Sequence, residues 1–484
     1  MSFFIGTVLS KTEFRRQKYK KMANFSLFLP QIQNMTRVIK IKQGLDIKLK
    51  GKAERATTSV EAQFFALQPT DFVGLTPKLL VDEGDYVKVG TPLFCDKGDE
   101  RIRFVSPVSG TVSEVRRGPK RLLEAVVVKS DGKFEPLAYE FGAPTKEGIT
   151  QSLLETGLWP MIRQRPFGTI AKPDDHPKAF FVSAFDSSPL APDMDYLAEH
   201  FPDSLQKGLE ILNLLCDGKL HLCIHAEKTQ SEVLLKAKNV QLHRFNGPHP
   251  SGNVGTQINR ICPINKGETV WFCGLQEVIN IGHFFRTGSL DFSRIYAIAG
   301  SGLLHPQYIR TKLGAAISAL VENNLKDDHQ RIVSGNVLTG KAVTENDFVG
   351  FYHNMLSIIP EGDQRHELIG WIWPGFKKFS VSRTFPSGFI PNVLHPDFEL
   401  DSNLHGEERA FVMTGEFEKV FPFDIYPLQL IKACLVGDID LMENLGIYEV
   451  EPEDFALCEF IDTSKTDIQA IIREALEKLR KESE

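Results

Sequence analysis

Six short apolar runs set the limits on what the chain before residue 142 can become. They lie at residues 78–81, 86–89, 92–94, 102–105, 111–115 and 125–128, in a stretch broken up by glycine and proline. None is long enough to bury one face of a helix over several turns. Short strands at that spacing fold into a compact barrel or sandwich. Residues 37–42, R-V-I-K-I-K, alternate in the same way and are read as the opening strand of this unit, which spans 35–142.

The pattern then changes. Residues 143–292 alternate buried-strand runs at 179–184, 220–225 and 270–273 with helical spacing at 204–215 and again through Val278, Ile281 and Phe285. That alternation belongs to an open α/β layer. A third unit, 293–415, holds strands at 294–299, 305–309 and 330–333 and a helix at 314–322. The last unit, 416–484, is helical. Ile468, Ile471, Ile472, Ala475, Leu476 and Leu479 form one apolar stripe in it. A length of 484 residues fits such a multidomain chain.

Composition excludes several functions. Lys and Arg number 56 against 62 Asp and Glu, a net charge of -6, which gives no general phosphate-binding surface and no expectation of nucleic acid. No apolar run approaches the 18 residues of a membrane span. The seven cysteines are scattered, no two of them as C-x-x-C, so zinc-ribbon and ferredoxin patterns fail and reduced, buried thiols are expected. Residues 1–34 crowd Arg15, Arg16, Lys18, Lys20 and Lys21 behind an apolar piece, the reverse of a secretory signal. They are read as a non-native or flexible extension ahead of Met35, with a basic membrane-surface arm as the alternative.

Several motifs invite a chemistry they do not complete. Residues 335–342, G-N-V-L-T-G-K-A, match a P-loop until Ala342 replaces the hydroxyl that ligates Mg²⁺. Gly300-Ser301-Gly302 has His305 where a dinucleotide loop wants its third glycine. His366-Glu367 lacks a histidine at 370, which excludes a zincin helix. His221 and His225 stand four apart in a strand-like run, too far apart to share a metal. Residues 81–115 follow the glycine and valine pattern of biotinyl and lipoyl carrier barrels, with Lys97 after Asp96. The spacing around Lys97 is wrong for a carrier hairpin, so the barrel is expected without carrier chemistry. The costliest composition is residues 246–256, N-G-P-H-P-S-G-N-V-G-T. Such a loop makes a tight corner or lets a ligand approach the backbone. His249 within it has no partner that sequence can name.

Residues 247–258, G-P-H-P-S-G-N-V-G-T-Q-I, resemble the A-subunit family of the Na⁺-translocating NADH:quinone reductase. So do residues 41–51, 117–121 (R-G-P-K-R), 339–340, 362–371, 373–380, 421–425 and 456–458, in one collinear order. The resemblance implies a peripheral subunit on the cytoplasmic face of the bacterial inner membrane. It would have five partner subunits, some of them integral to the membrane, in a complex that reduces ubiquinone with NADH and exports Na⁺. It also implies that NADH, flavins, iron–sulfur centres and quinone are handled on other subunits, leaving this chain to support assembly and share in handling quinone. The alternative is an active flavin or iron–sulfur NADH dehydrogenase subunit, similar to the Rnf C subunit or the complex I flavin subunit. It needs clustered cysteines, and Cys458 stands alone in the corresponding tail. The expected fold is therefore α+β and multidomain: a barrel-sandwich unit, a Rossmann-like layer, a β-grasp (SLBB-like) unit and a C-terminal helical unit. No catalytic, cofactor-binding or metal-ligating residue is assigned.

Overall fold

Alternation and helical periodicity become four sheets and a C-terminal helical cluster in a computed structural model of the chain. It describes residues 37–139, 142–363, 379–382, 385–389 and 397–483. The extension at 1–34, His366-Glu367 and most of the 362–380 motif lie outside the described residues.

The short runs pair as expected into two small sheets. One orders Phe64–Leu67, Leu123–Ser130, Gly110–Arg117 and Tyr86–Val87; the other orders Pro77–Leu79, Pro92–Asp96 and Arg103–Val105. Phe94 and Phe104, partners on adjacent strands of the second sheet, stack at 4.6 Å, both buried. Aromatic pairs of this kind bring large buried area to a small core.

The α/β layer is a seven-stranded sheet among the described residues. Phe180–Ser183, Leu220–His225, Gln241–Asn246 and Val270–Gly274 run parallel, and Arg163–Arg165 and Thr169–Ile170 add an antiparallel edge. Leu220–His225 is buried along its whole length, as a strand covered on both faces must be. Phe180, Val182 and Trp271 face the main core. Phe181, Cys223, Phe245 and Phe272 face a second, smaller one beneath Val254–Ile261.

Two early strands do not pair within the barrel. Ile39–Lys40 lies parallel to Gln241–Asn246 at the edge of the α/β sheet. Glu54–Ser59 pairs with Gln307–Lys312 at the edge of the third sheet. Alternation shows that residues 37–42 form a strand, but the edge they complete is set by backbone groups left open some two hundred residues away, at residues 245–246.

The third sheet orders Lys341–Val343, Gln330–Ser334, Met355–Pro360, Ser293–Ala299, Gln307–Lys312 and Glu54–Ser59, with the short helix Ile317–Val321 alongside. The C-terminal helices Pro427–Val436, Ile439–Leu445, Ala456–Ile461 and Ile468–Ser483 follow. In the last of them the predicted stripe is the packed face: Ile468, Ile472, Ala475, Leu476 and Leu479 are buried and Ile471 half-buried.

Candidate functional site

In an open parallel sheet, ligands bind beyond the carboxyl ends of the strands where the strand order reverses. Here that point lies between Phe180–Ser183 and Val270–Gly274. The chain's own side chains close the ground beside it. Ser183 Oγ donates to the Phe185 and Gly252 carbonyls at 2.9 and 3.1 Å, and Gln257 Nε2 donates to Ser183 Oγ at 2.8 Å. Gly252 N donates to Ser187 Oγ at 2.8 Å, and the His249 ring meets that hydroxyl through Nδ1 at 3.0 Å.

The proline- and glycine-rich loop is therefore a corner, pinned from below. His249 N donates to Asp46 Oδ1 at 2.9 Å, and Leu45 N donates to the His249 carbonyl at 2.8 Å. A Cβ on Gly252 would sit 2.5 Å from Ser187 N, and one on Gly255 would sit 2.4 Å from both Arg165 Nη1 and Asp454 Oδ1. The close approach these glycines permit is to this chain itself. His249 is buried, and desolvation pushes its imidazole down to about 4, so the ring is neutral near pH 7.

Beside the loop lies a buried ionic cluster. Arg165 Nη1 donates to Asp454 Oδ2 at 2.7 Å, and Nη2 reaches Glu453. Arg473 Nη2 donates to Glu451 Oε2 at 3.0 Å and Nη1 to the Phe167 carbonyl at 2.9 Å. The side chains of Arg165 and Asp454 are 1% and 0% exposed. Burial raises the Asp454 and Glu451 carboxyls against the pull of the arginines. The cluster joins the α/β sheet to the C-terminal helices. A second concavity, of about 590 Å³, opens between Lys146–Glu155 and the barrel. Its walls carry both signs, and Arg101 there bridges Asp99 and Asp174 at 2.7 and 2.6 Å.

The remaining motifs fall where their chemistry fails. Residues 335–340 form the turn between antiparallel strands, with Ser334 opposite Lys341, and no helix begins there. Asn336 Oδ1 accepts from the Leu338 and Thr339 N–H groups, an ordinary side-chain-closed turn. Gly300–Gly302 leads from one strand to the next strand of a hairpin, with no helix start to meet a pyrophosphate. Lys97 is exposed on the turn between Pro92–Asp96 and Arg103–Val105. His221 meets His243 rather than His225: Nδ1 and Nε2 lie 2.9 Å apart. Only the parallel pairing of their strands shows this. Among the described residues no three His, Cys, Asp or Glu side chains group to hold a metal.

Fold and crevice together define a multidomain α+β scaffold of barrel-sandwich, α/β and β-grasp units, with side chains of its own packed over the loops of the α/β sheet. Family models agree unit by unit. The NqrA N-terminal barrel-sandwich hybrid domain matches residues 39–131, the NqrA second alpha/beta domain 144–290, and the NQRA C-terminal domain, of SLBB type, 295–345. The A subunit of the Na(+)-translocating NADH-quinone reductase of Neisseria meningitidis serogroup B is 38% identical over 455 residues, covering 92% of this chain and 100% of that one. Its namesakes from Tolumonas auensis and Pasteurella multocida are 38% and 37% identical at the same coverage. This chain belongs to that family of A subunits. A chain of an NAD+-reducing [NiFe]-hydrogenase in the air-oxidized state also aligns, with TM-score 0.37 and 11% identity over 69% of this chain and 66% of that one.

Proposed function

We propose that the chain is a peripheral, non-catalytic subunit of a sodium-translocating NADH:quinone oxidoreductase, and that it works by docking on the membrane subunits and helping to shape the quinone site. The observation that carries this is identity of 37–38% over the whole length of relatives bearing that name. The packing of Ser183, Ser187, His249 and Gln257 around the proline-rich loop supports a scaffold over a flavin- or nucleotide-binding role. In this reading NADH, flavin, iron–sulfur and ubiquinone chemistry is carried out on partner subunits, five of them, at the cytoplasmic face of a bacterial inner membrane. No helix among the described residues is long and apolar enough to cross a membrane, in keeping with a peripheral place.

The test is made on the intact complex. A tagged copy of the chain, expressed in its own host, is expected to co-purify with membrane-integral subunits and with Na⁺-dependent NADH:quinone reductase activity. Removing the chain is expected to abolish assembly or quinone reduction while leaving NADH oxidation by an artificial acceptor intact. Stoichiometric flavin or iron in the chain purified alone would overturn the reading and favour the dehydrogenase alternative.

A further inference from the structure

The hairpin between Gly110–Arg117 and Leu123–Ser130 ends in the sequence R-G-P-K-R-L at residues 117–122. Arg117, Pro119, Lys120, Arg121 and Leu122 are all exposed, and Leu122 keeps 52% of its surface in solvent. Three of these are cations, on a chain whose net charge is -6. Arg116, at the root, is already engaged: it pairs with Glu114 at 3.2 Å and Asp347 at 3.4 Å, and lies 5.7 Å from the centre of the Phe348 ring. Among the described residues no carboxylate lies within ion-pair range of Arg117, Lys120 or Arg121. The polar contact of Arg117 is to the Arg121 carbonyl at 3.3 Å. The Glu124 side chain lies over Gly118.

The tip is also fixed in shape. Gly118 N donates to the Leu122 carbonyl at 2.9 Å, and Leu122 N donates back to the Pro119 carbonyl at 3.1 Å. Lys120 and Arg121, in succession, hold φ of 54° and 62°. Two neighbouring long side chains seldom adopt that left-handed backbone, which suits Gly, Asn and Asp. A turn chosen only for its geometry would carry those residues. This one carries two cations, beside an apolar side chain left in water.

We propose that this tip is a foot for an anionic phospholipid surface, with Arg117, Lys120 and Arg121 meeting headgroup phosphates and Leu122 entering the interfacial layer. The inference rests on the reading of the chain as docked at a membrane, and it names the part that meets lipid. Unpaired cations with an adjacent apolar side chain fit a surface that is negative outside and apolar just beneath. Each Lys or Arg near such a surface strengthens binding about fivefold, so three cations give weak, reversible, salt-sensitive attachment that reinforces contacts with partner subunits.

The test is co-sedimentation of the full chain with lipid vesicles at low ionic strength. Binding is expected to phosphatidylcholine vesicles containing phosphatidylglycerol and not to phosphatidylcholine alone, and it should fade as salt rises. The double variant K120N/R121N keeps residues that tolerate the left-handed turn, and its partition should fall about 25-fold. K120R/R121K should bind as the wild type does, and L122S should bind several-fold more weakly. A K120N/R121N chain that binds these vesicles as well as wild type overturns the proposal, as does a wild-type chain indifferent to phosphatidylglycerol. Co-purification with the other subunits is followed in parallel. If K120N/R121N loses its partners while its vesicle binding is unchanged, the tip recognises an acidic protein segment and the lipid reading falls. A wild-type chain that binds vesicles but never joins a complex would instead sink the proposed function and leave the foot standing.

Discussion

Burial of His249 imposes a pH dependence on the corner it holds. Its imidazole falls to about 4 in the folded chain, against roughly 6.5 when unfolded, so between those values only the unfolded chain takes the proton. The stabilisation is whole above about pH 6.5 and is lost as pH falls toward 4, on the order of 3 kcal/mol. His353, also held near 4 by burial, acts in the same direction. Asp71 acts in the opposite one. Burial lifts its carboxyl to about 6, so the folded chain keeps a proton that the unfolded chain has released, and that contribution is lost as pH rises from about 4 to 6. Asp454, likewise raised by burial, acts with Asp71, and His221, held near 4, acts with the other two histidines, so on first acidification from pH 7 the three histidines outweigh the two carboxyls. The urea midpoint is expected to drop on acidification from pH 7, and His249→Gln should flatten that limb. An identical limb in the variant would show that His249 is not a titrating group. Sequence alone marks the loop as costly, because prolines and glycines are visible one residue at a time. It does not reveal Ser187, the ring's partner 62 positions away, because no spacing rule links two loops that meet only through the sheet.

Among the elements, the turn at residues 451–455 is tied to the sheet by Arg165. Removing one partner of a buried pair leaves the other charge without compensation, so Arg165→Met should cost about 3–5 kcal/mol in urea unfolding. The double variant Arg165→Met with Asp454→Leu should recover much of that loss, since the stranded carboxylate is gone. Simple additivity of the two single effects would mean that the pair is not coupled. What sequence shows at this scale depends on how local the cause is. The stripe from Ile468 to Leu479 is legible because helical period and packed face are the same fact. The parallel strands between 180 and 274 are legible as buried runs broken by helical ones. The placement of Ile39–Lys40 and Glu54–Ser59 is not, because a strand's pattern gives its two faces and not its neighbour. The ionic cluster escapes for the same reason: Arg165 and Asp454 stand 289 positions apart, and each reads as surface charge.

For the molecule as a whole, seven free thiols offer a map of what stays closed in the native state. Cys95, Cys216, Cys223, Cys273 and Cys458 are buried, and Cys262 and Cys434 are half-buried. Burial raises the Cys223, Cys273 and Cys458 thiols well above their ordinary range. Burial also lifts the half-buried Cys434 thiol to about 12, so brief maleimide treatment of the native chain, read by mass spectrometry, is expected to label Cys262 ahead of the rest. Early labelling of Cys223 or Cys273 would mean that the α/β core opens under native conditions. The pairing of Ile39–Lys40 with Phe245 and Asn246 also has a consequence in time. A ribosome releases the leading strand long before its partner exists, and in that interval the barrel unit can already be complete. The α/β sheet then gains this edge by reaching back to a segment made some two hundred residues earlier, so that pairing is a late, long-range event of translation. A nascent chain stalled before residue 241 would carry that strand unpaired, and a chaperone that shields open strand edges would have its longest hold there.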